Sequence, residues 1–150
     1  MRFWDASAVV PLLLRQKASV AARTLYRRHP NVVVWWGTAV ECESAIARLE
    51  RAGEVTPEES AHARQRLSEA EAGWTEVEPS RAVRSAARRL LRFHDLRAGD
   101  ALQLASAVVF ADGEPSSVPV VCLDARLSAA ARREGFTVVD LPGAGRAAGG

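Results

Sequence analysis

The chain has 150 residues, 48% of them hydrophobic and 25% charged, the make-up of one globular domain that can bury a core without disulfides or a structural metal. No stretch approaches the roughly 18 uninterrupted apolar residues of a membrane helix, and the opening Met1-Arg2-Phe3-Trp4-Asp5 lacks a secretory-signal pattern, so a cytoplasmic protein without a membrane partner is expected. A net charge of +2 excludes little, although Lys17 is the only lysine and every other cation is arginine, whose planar fork matches phosphate oxygens.

In chain order, residues 2–4 form a short apolar run that ends at Asp5 and reads as a buried strand. Residues 8–14 follow as a short helix with Pro11 near its first turn. Val20, Ala21, Thr24 and Leu25 fall on one helical face, with Arg23, Arg27 and Arg28 opposite, and His29-Pro30-Asn31 ends that helix. Residues 32–36 are all β-branched or aromatic and make the clearest strand. Thr38 opens a helix whose apolar positions Val40, Ile46, Ala47 and Leu49 repeat at helical spacing, and Gly53 stops it. Thr56, Pro57 and Glu59 supply an N-cap, a proline at the first position and a capping box for a helix to about Glu71.

After Gly73, residues 74–78 alternate as a short edge strand, and Ser80 caps an arginine-laden helix to about Phe93. A break at residues 96–99 precedes a strongly apolar helix over residues 100–110, and residues 111–117 read as a loop. Residues 118–123 form a second buried strand ending at Asp124, residues 126–134 a helix capped by Gly135, and residues 136–139 a last strand. Apolar strands separated by helices predict an α/β fold: a short-stranded parallel sheet sandwiched by helices, one domain over residues 1–140. Residues 141–150, rich in Gly and Ala, are expected to be a flexible tail.

Four acids stand at the junctions of these elements. Asp5 and Asp124 follow strands, at the carboxyl edge where open α/β sheets bind ligands, while Glu41 and Asp100 lie near helix N-termini. Each also has a capping explanation: Thr38-x-x-Glu41 matches a capping box, Asp5 and Asp124 fit N-caps, and Asp100 complements a helix dipole. Asp100 opens a helix apolar nearly all round, where an acid is costly unless paired or bound to a cation, and Arg97 is its only neighbouring cation in sequence. Converging carboxylates repel by roughly 4 kcal/mol per pair at about 4 Å and an effective dielectric of about 20. A divalent ion relieves that repulsion, and all-oxygen ligands suit Mg²⁺ or Mn²⁺ rather than zinc. Cys42 and Cys122 form no metal-ligand spacing and are expected as reduced core residues, and His29, His62 and His94 as surface residues.

The residues Phe3-Trp4-Asp5-Ala6-Ser7-Ala8, then Thr38-Ala39-Val40-Glu41-Cys42-Glu43-Ser44-Ala45, then Leu96-Arg97-Ala98-Gly99-Asp100 with Leu102-Gln103-Leu104-Ala105, then Leu123-Asp124-Ala125-Arg126-Leu127, together resemble a PIN domain. More narrowly, they resemble the VapC-type toxins of toxin–antitoxin pairs, over nearly the whole chain. Each block alone is weak; four in order within one chain are specific. The resemblance implies metal-binding acids at Asp5, Glu41, Asp100 and Asp124, with Asp5 and Asp100 favoured as direct ligands and the other two acting through water. It implies hydroxyls beside the site at Ser7 and Thr38, and Mg²⁺-dependent cleavage of RNA by a metal-activated water. Arg97 and Arg126 are candidates for phosphate contact. Many relatives carry Thr or Ser where this chain has Cys122, which puts a polar contact there in doubt. A small antitoxin and a homodimer are the implied partners. Two other functions compete: a phospho-receiver, which needs a late lysine that Lys17 cannot supply, and a PIN-fold scaffold that binds RNA without cutting it.

Overall fold

The computed structural model describes residues 1–143. Five strands form one parallel sheet: β1 (Arg2–Trp4), β2 (Val32–Trp35), β3 (Thr75–Val77), β4 (Val120–Val121) and β5 (Val138–Val139). Their order is β3-β2-β1-β4-β5, so the chain winds outward from β1 on one side and then crosses back to build the other. The register pairs Phe3 with Val33 on one side and with Val120 on the other. A switch point therefore lies between β1 and β4, where successive connections leave in opposite directions and open a crevice at the carboxyl edge.

Among the described residues, seven helices cover the two faces: α1 (Ala6–Leu13), α2 (Ser19–Arg28), α3 (Thr38–Arg51), α4 (Pro57–Glu71), α5 (Arg81–Phe93), α6 (Ala98–Ala111) and α7 (Ala125–Arg133). Alternation along the strands sorts their side chains between the layers. Trp4, Val32, Val34 and Val121 pack against the layer containing α1 to α4. Phe3, Val33, Val120 and Cys122 pack against the layer of α5, α6 and α7. This is the expected helix-covered parallel sheet. Among the described residues, no helix is long and apolar enough to cross a membrane.

Several elements depart from the sequence expectation for identifiable reasons. The run 118–123 contributes only Val120 and Val121 to β4, because its neighbour β1 is three residues long and Val118 closes the 3-10 turn Pro115–Ser117. Helix α1 starts at Ala6, so Pro11 lies inside it rather than in its first turn. Val20 and Val40 are 76% and 69% exposed, and the buried lines run instead through Ala18 and Ala22 and through Thr38, Cys42 and Ile46. In segments where alanine and arginine dominate, size contrast is too low for periodicity to fix the phase of the buried face.

His29 and His62 are exposed as expected, but His94 is not a surface residue. Its side chain is 8% exposed, and its Nε2 lies 2.9 Å from Glu134 Oε1 at the end of α7. The capping box at Thr56 and Glu59 forms with both of its bonds. Of the expected tail, Leu141 is packed in the core beside α1 and α2, and residues 144–150 lie outside the described residues.

Candidate active site

The crevice between β1 and β4 is lined by the residues that leave those strands. Asp5 follows β1 and is the N-cap of α1, its carboxylate accepting from the Ser7 N–H at 3.1 Å. The Ser7 hydroxyl donates to the same oxygen at 2.6 Å and accepts from the Leu123 N–H at 2.9 Å, so it ties the exit of β1 to the exit of β4. Asp124 follows β4 and caps α7 through the Leu127 N–H at 2.8 Å. Capping and site placement thus coexist at both aspartates: one carboxylate oxygen serves the helix and the group still stands at the crevice.

Glu41 is different. The Thr38 capping box is not formed, because Gly37 is the N-cap of α3 and supplies no side-chain cap. Glu41 Oε2 instead accepts from Gln103 Nε2 at 2.7 Å, and the same amide donates to the buried Thr38 hydroxyl at 3.0 Å. Glu41 Oε1 lies 3.3 Å from the position a Cβ on Gly99 would take, which puts this carboxylate against the first turn of α6. Helix α6 begins at Ala98, two residues earlier than expected, so Asp100 is in its third position. Arg97, the N-cap residue, offers no side-chain cap of its own, so Asp100 is the acid in the first turn of α6.

The four acids lie close enough for their charges to act on one another. Asp5 is held above its ordinary range by burial and by the charges of Asp100 and Asp124, against the two Ser7 hydrogen bonds. Burial, with Asp5 and Asp100 adding, pushes Glu41 up to about 7 despite the Gln103 bond. Asp100 is raised by burial and by Asp124, with Arg97 and Arg126 opposing. Asp5 and Asp100 couple to acids on both sides, so they form the middle of the cluster, with Glu41 and Asp124 flanking. Asp5, not Asp100, is the most buried of the four acids: it is 5% exposed, while Asp100 is only half-buried.

No family model matches the chain. Two curated relatives from Mycobacterium tuberculosis do, Ribonuclease VapC45 (strain CDC 1551 / Oshkosh) and Ribonuclease VapC49 (strain ATCC 25618 / H37Rv). Each is 33% identical over 136 residues, covering 91% of this chain and 92% of the relative. The chain belongs to the VapC ribonuclease family. Its PIN-like fold is also that of two solved structures, a toxin–antitoxin complex from Klebsiella pneumoniae (TM-score 0.64, 15% identity) and FitAcB from Neisseria gonorrhoeae (TM-score 0.65, 14% identity). Both alignments cover 93% of this chain and 97% of the other.

Among the described residues of this VapC chain, no three His, Cys, Asp or Glu side chains are placed to hold a metal ion as they stand. The donor chemistry nevertheless fits a hard divalent cation: four carboxylates at one crevice, three of them raised partly by each other's charge. Gln103 adds a further indication, since its Oε1 is buried without a hydrogen-bond partner. The other predicted residues are nearby. Arg97 heads α6, and Arg126, in the first turn of α7, pairs loosely with Asp95 at 3.8 Å.

Sequence reasoning missed Gln103, though a polar residue three positions after Asp100 in an otherwise apolar helix was its signal. Cys122 is closer to the chemistry than expected. Its Sγ is 3.7 Å from Asp5 Oδ2 and 3.8 Å from the Ser7 hydroxyl. Burial and the Asp5 charge push its thiol up to about 12, so it remains a neutral donor and not a nucleophile.

Proposed function

We propose that this VapC-family chain is a divalent-metal-dependent endoribonuclease, the toxin of a toxin–antitoxin pair, which hydrolyses RNA phosphodiester bonds with an activated water. The observation that carries this reading is the meeting of Asp5, Glu41, Asp100 and Asp124 at the β1–β4 crevice, with their charges coupled. Asp5 and Asp100 would hold Mg²⁺ or Mn²⁺, with Glu41 and Asp124 acting through water. Such an ion supplies a lowered pKa for the attacking water and offsets charge that develops on the phosphate.

The chain's own residues account for the rest. Ser7 fixes the Asp5 carboxylate and links it to the strand that presents Asp124. Gln103 fixes Glu41 Oε2 and leaves Oε1 to hold the water through which this carboxylate acts. Arg97 and Arg126 flank Asp100 and are positioned to meet the phosphate that it would otherwise repel. The same carboxylates would accept an arginine from a small antitoxin laid over the crevice, which is how such a partner would silence the site. A homodimer is the proposed assembly.

The test uses purified protein and a single-stranded RNA, with Mg²⁺ or with EDTA. Cleavage is expected only with the metal and is expected to be lost in Asp5→Ala. Equal behaviour of wild type and Asp5→Ala would overturn the reading, and binding without cleavage would make the chain an RNA-binding scaffold. Co-expression with the product of a short upstream reading frame should suppress the activity, and light scattering should give the mass of a dimer.

A further inference from the structure

Outside the carboxylate cluster, the chain's charge is most one-sided on α5. Arg81, Arg84, Arg88 and Arg92 are exposed and recur at three- and four-residue helical spacing, with Cβ atoms about 5–6 Å apart along one side of the helix. Among the described residues none of the four has a carboxylate within ion-pair distance, whereas Arg89, on another face, is tied to Glu134. At its head, Arg81 and Arg84 line a cleft of about 290 Å³ together with Ser80, Trp35 and Leu102. No carboxylate lines it.

Two residues of this cleft stand on or beside elements that also carry members of the acid cluster. Trp35 ends β2, and its indole Nε1 lies against Gly37, the residue that starts the turn into Thr38 and Glu41. Leu102 sits on α6 between Asp100 and Gln103. Gln103 turns toward Glu41, while Leu102 faces the cleft. The cleft and the carboxylate cluster therefore share helix α6 and the turn from β2 into α3. One holds oxygen ligands for a cation, and the other presents an apolar indole wall and two unpaired guanidinium groups.

We propose that this cleft is a substrate subsite that takes a nucleotide of single-stranded RNA next to the bond being cut. Arg81 and Arg84 hold its phosphate, Trp35 and Leu102 form the apolar wall, and Arg88 and Arg92 guide the strand beyond. The inference rests on the ribonuclease reading. A protein partner with an acidic segment is the competing occupant of the arginine line, but it gives no reason for an apolar-walled cleft to share elements with the carboxylate cluster.

Anisotropy of a labelled single-stranded oligoribonucleotide, measured with the full chain in EDTA over a salt series, tests the subsite separately from cleavage. For Arg81→Ser/Arg84→Ser, affinity should fall by about tenfold, and the salt slope should shrink by roughly 1.4, the loss of two single-strand phosphate contacts. The matched control Arg48→Ser/Arg51→Ser, at the exposed end of α3, should change neither. With Mg²⁺, the α5 pair should raise KM by about tenfold and leave kcat within about twofold. Unchanged affinity and slope, or an equal loss in the control, overturns the subsite and leaves the arginines to a protein partner. Wild type that binds RNA but does not cleave it overturns the ribonuclease reading alone, while absence of RNA binding by wild type overturns both.

Discussion

The side-chain amide of Gln103 donates to Glu41 at 2.7 Å and so couples the buried helix α6 to the first turn of α3. The same amide holds the Thr38 hydroxyl, so it ties both Thr38 and Glu41 to the helix that carries Asp100. Gln103→Met keeps roughly the same volume, removes both bonds and takes away the unpartnered Oε1, so stability should fall by only about 1 kcal/mol. Activity should fall further, by about tenfold at neutral pH, as Glu41 loses the bond that lowers its pKa. The acid limb of the rate profile should move to higher pH. Initial rates between about pH 5 and 9 check this, and an unmoved profile would reduce Gln103 to a packing role.

The raised carboxylates also make a stability prediction. Burial lifts Glu41 from 4.5 to about 7, so the folded chain binds that proton more tightly than the unfolded chain does. Its contribution is most favourable below about pH 4.5 and is lost as pH rises to about 7; Asp5 and Asp100 are shifted in the same direction. In EDTA, stability should decline across that window by about 1–2 kcal/mol, a figure already reduced for the partial exposure of Glu41. Excess Mg²⁺ should restore most of the loss at neutral pH and little at the acid end, where protonated carboxylates bind no cation. Thermal melts with and without Mg²⁺ are the measurement. A flat profile in EDTA would mean that the acids do not strain the fold.

How far the sequence exposed this arrangement can be argued from particular residues. Asp5 and Asp124 were legible because each directly follows an apolar strand run, and strand ends in a parallel sheet have only one edge to occupy. The order of the strands was not legible. Pairing of β1 with both β2 and β4, which creates the crevice, is a long-range choice that no local pattern encodes. Glu41 is ambiguous because a capping box and a site carboxylate look alike in one dimension; the Gly37 N-cap and the Gln103 bond exclude the capping box. His94 was misjudged for a related reason. Its arginine-rich surroundings suggest solvent, yet its partner Glu134 lies 40 residues away.

Gly37 provides a steric test of the turn that aims α3. A Cβ there would lie 2.4 Å from Trp35 Nε1 and 3.0 Å from its Cδ1, closer than real contacts allow. The indole belongs to a buried residue packed in the core against α5 and α6. Gly37→Ala should therefore cost about 1–3 kcal/mol, as overpacking of a core does. It should also reduce cleavage, because the displaced turn carries Thr38 and Glu41. Denaturant midpoints and the tryptophan emission maximum report the two displacements. Wild-type stability in this variant would mean that the indole swings aside freely.

Glu134 fastens the connection between α5 and α6 to the end of α7. It accepts from Arg89 at 2.9 Å and 3.3 Å and lies 2.9 Å from His94 Nε2. Burial pushes this carboxyl up, but the Arg89 and His94 bonds more than offset it and leave it below the ordinary range. A depressed carboxylate contributes stability above its unfolded pKa of about 4.5 and loses that contribution as pH falls through the folded value. Glu134→Gln should therefore destabilise the chain by about 1 kcal/mol at neutral pH, a modest figure because Arg89 is 43% exposed, and the difference from wild type should vanish in acid. The short segment that follows His94 leads directly to Arg97 and Asp100, so loosening this anchor should also weaken Mg²⁺ binding while the Asp5–Ser7 pair stays intact. Calorimetric Mg²⁺ titrations of wild type and Glu134→Gln, beside Arg89→Gln, distinguish the anchor from its surface partner: loss of affinity in the first and near-normal affinity in the second is the expected pattern. Equal affinities in all three would make the contact purely structural.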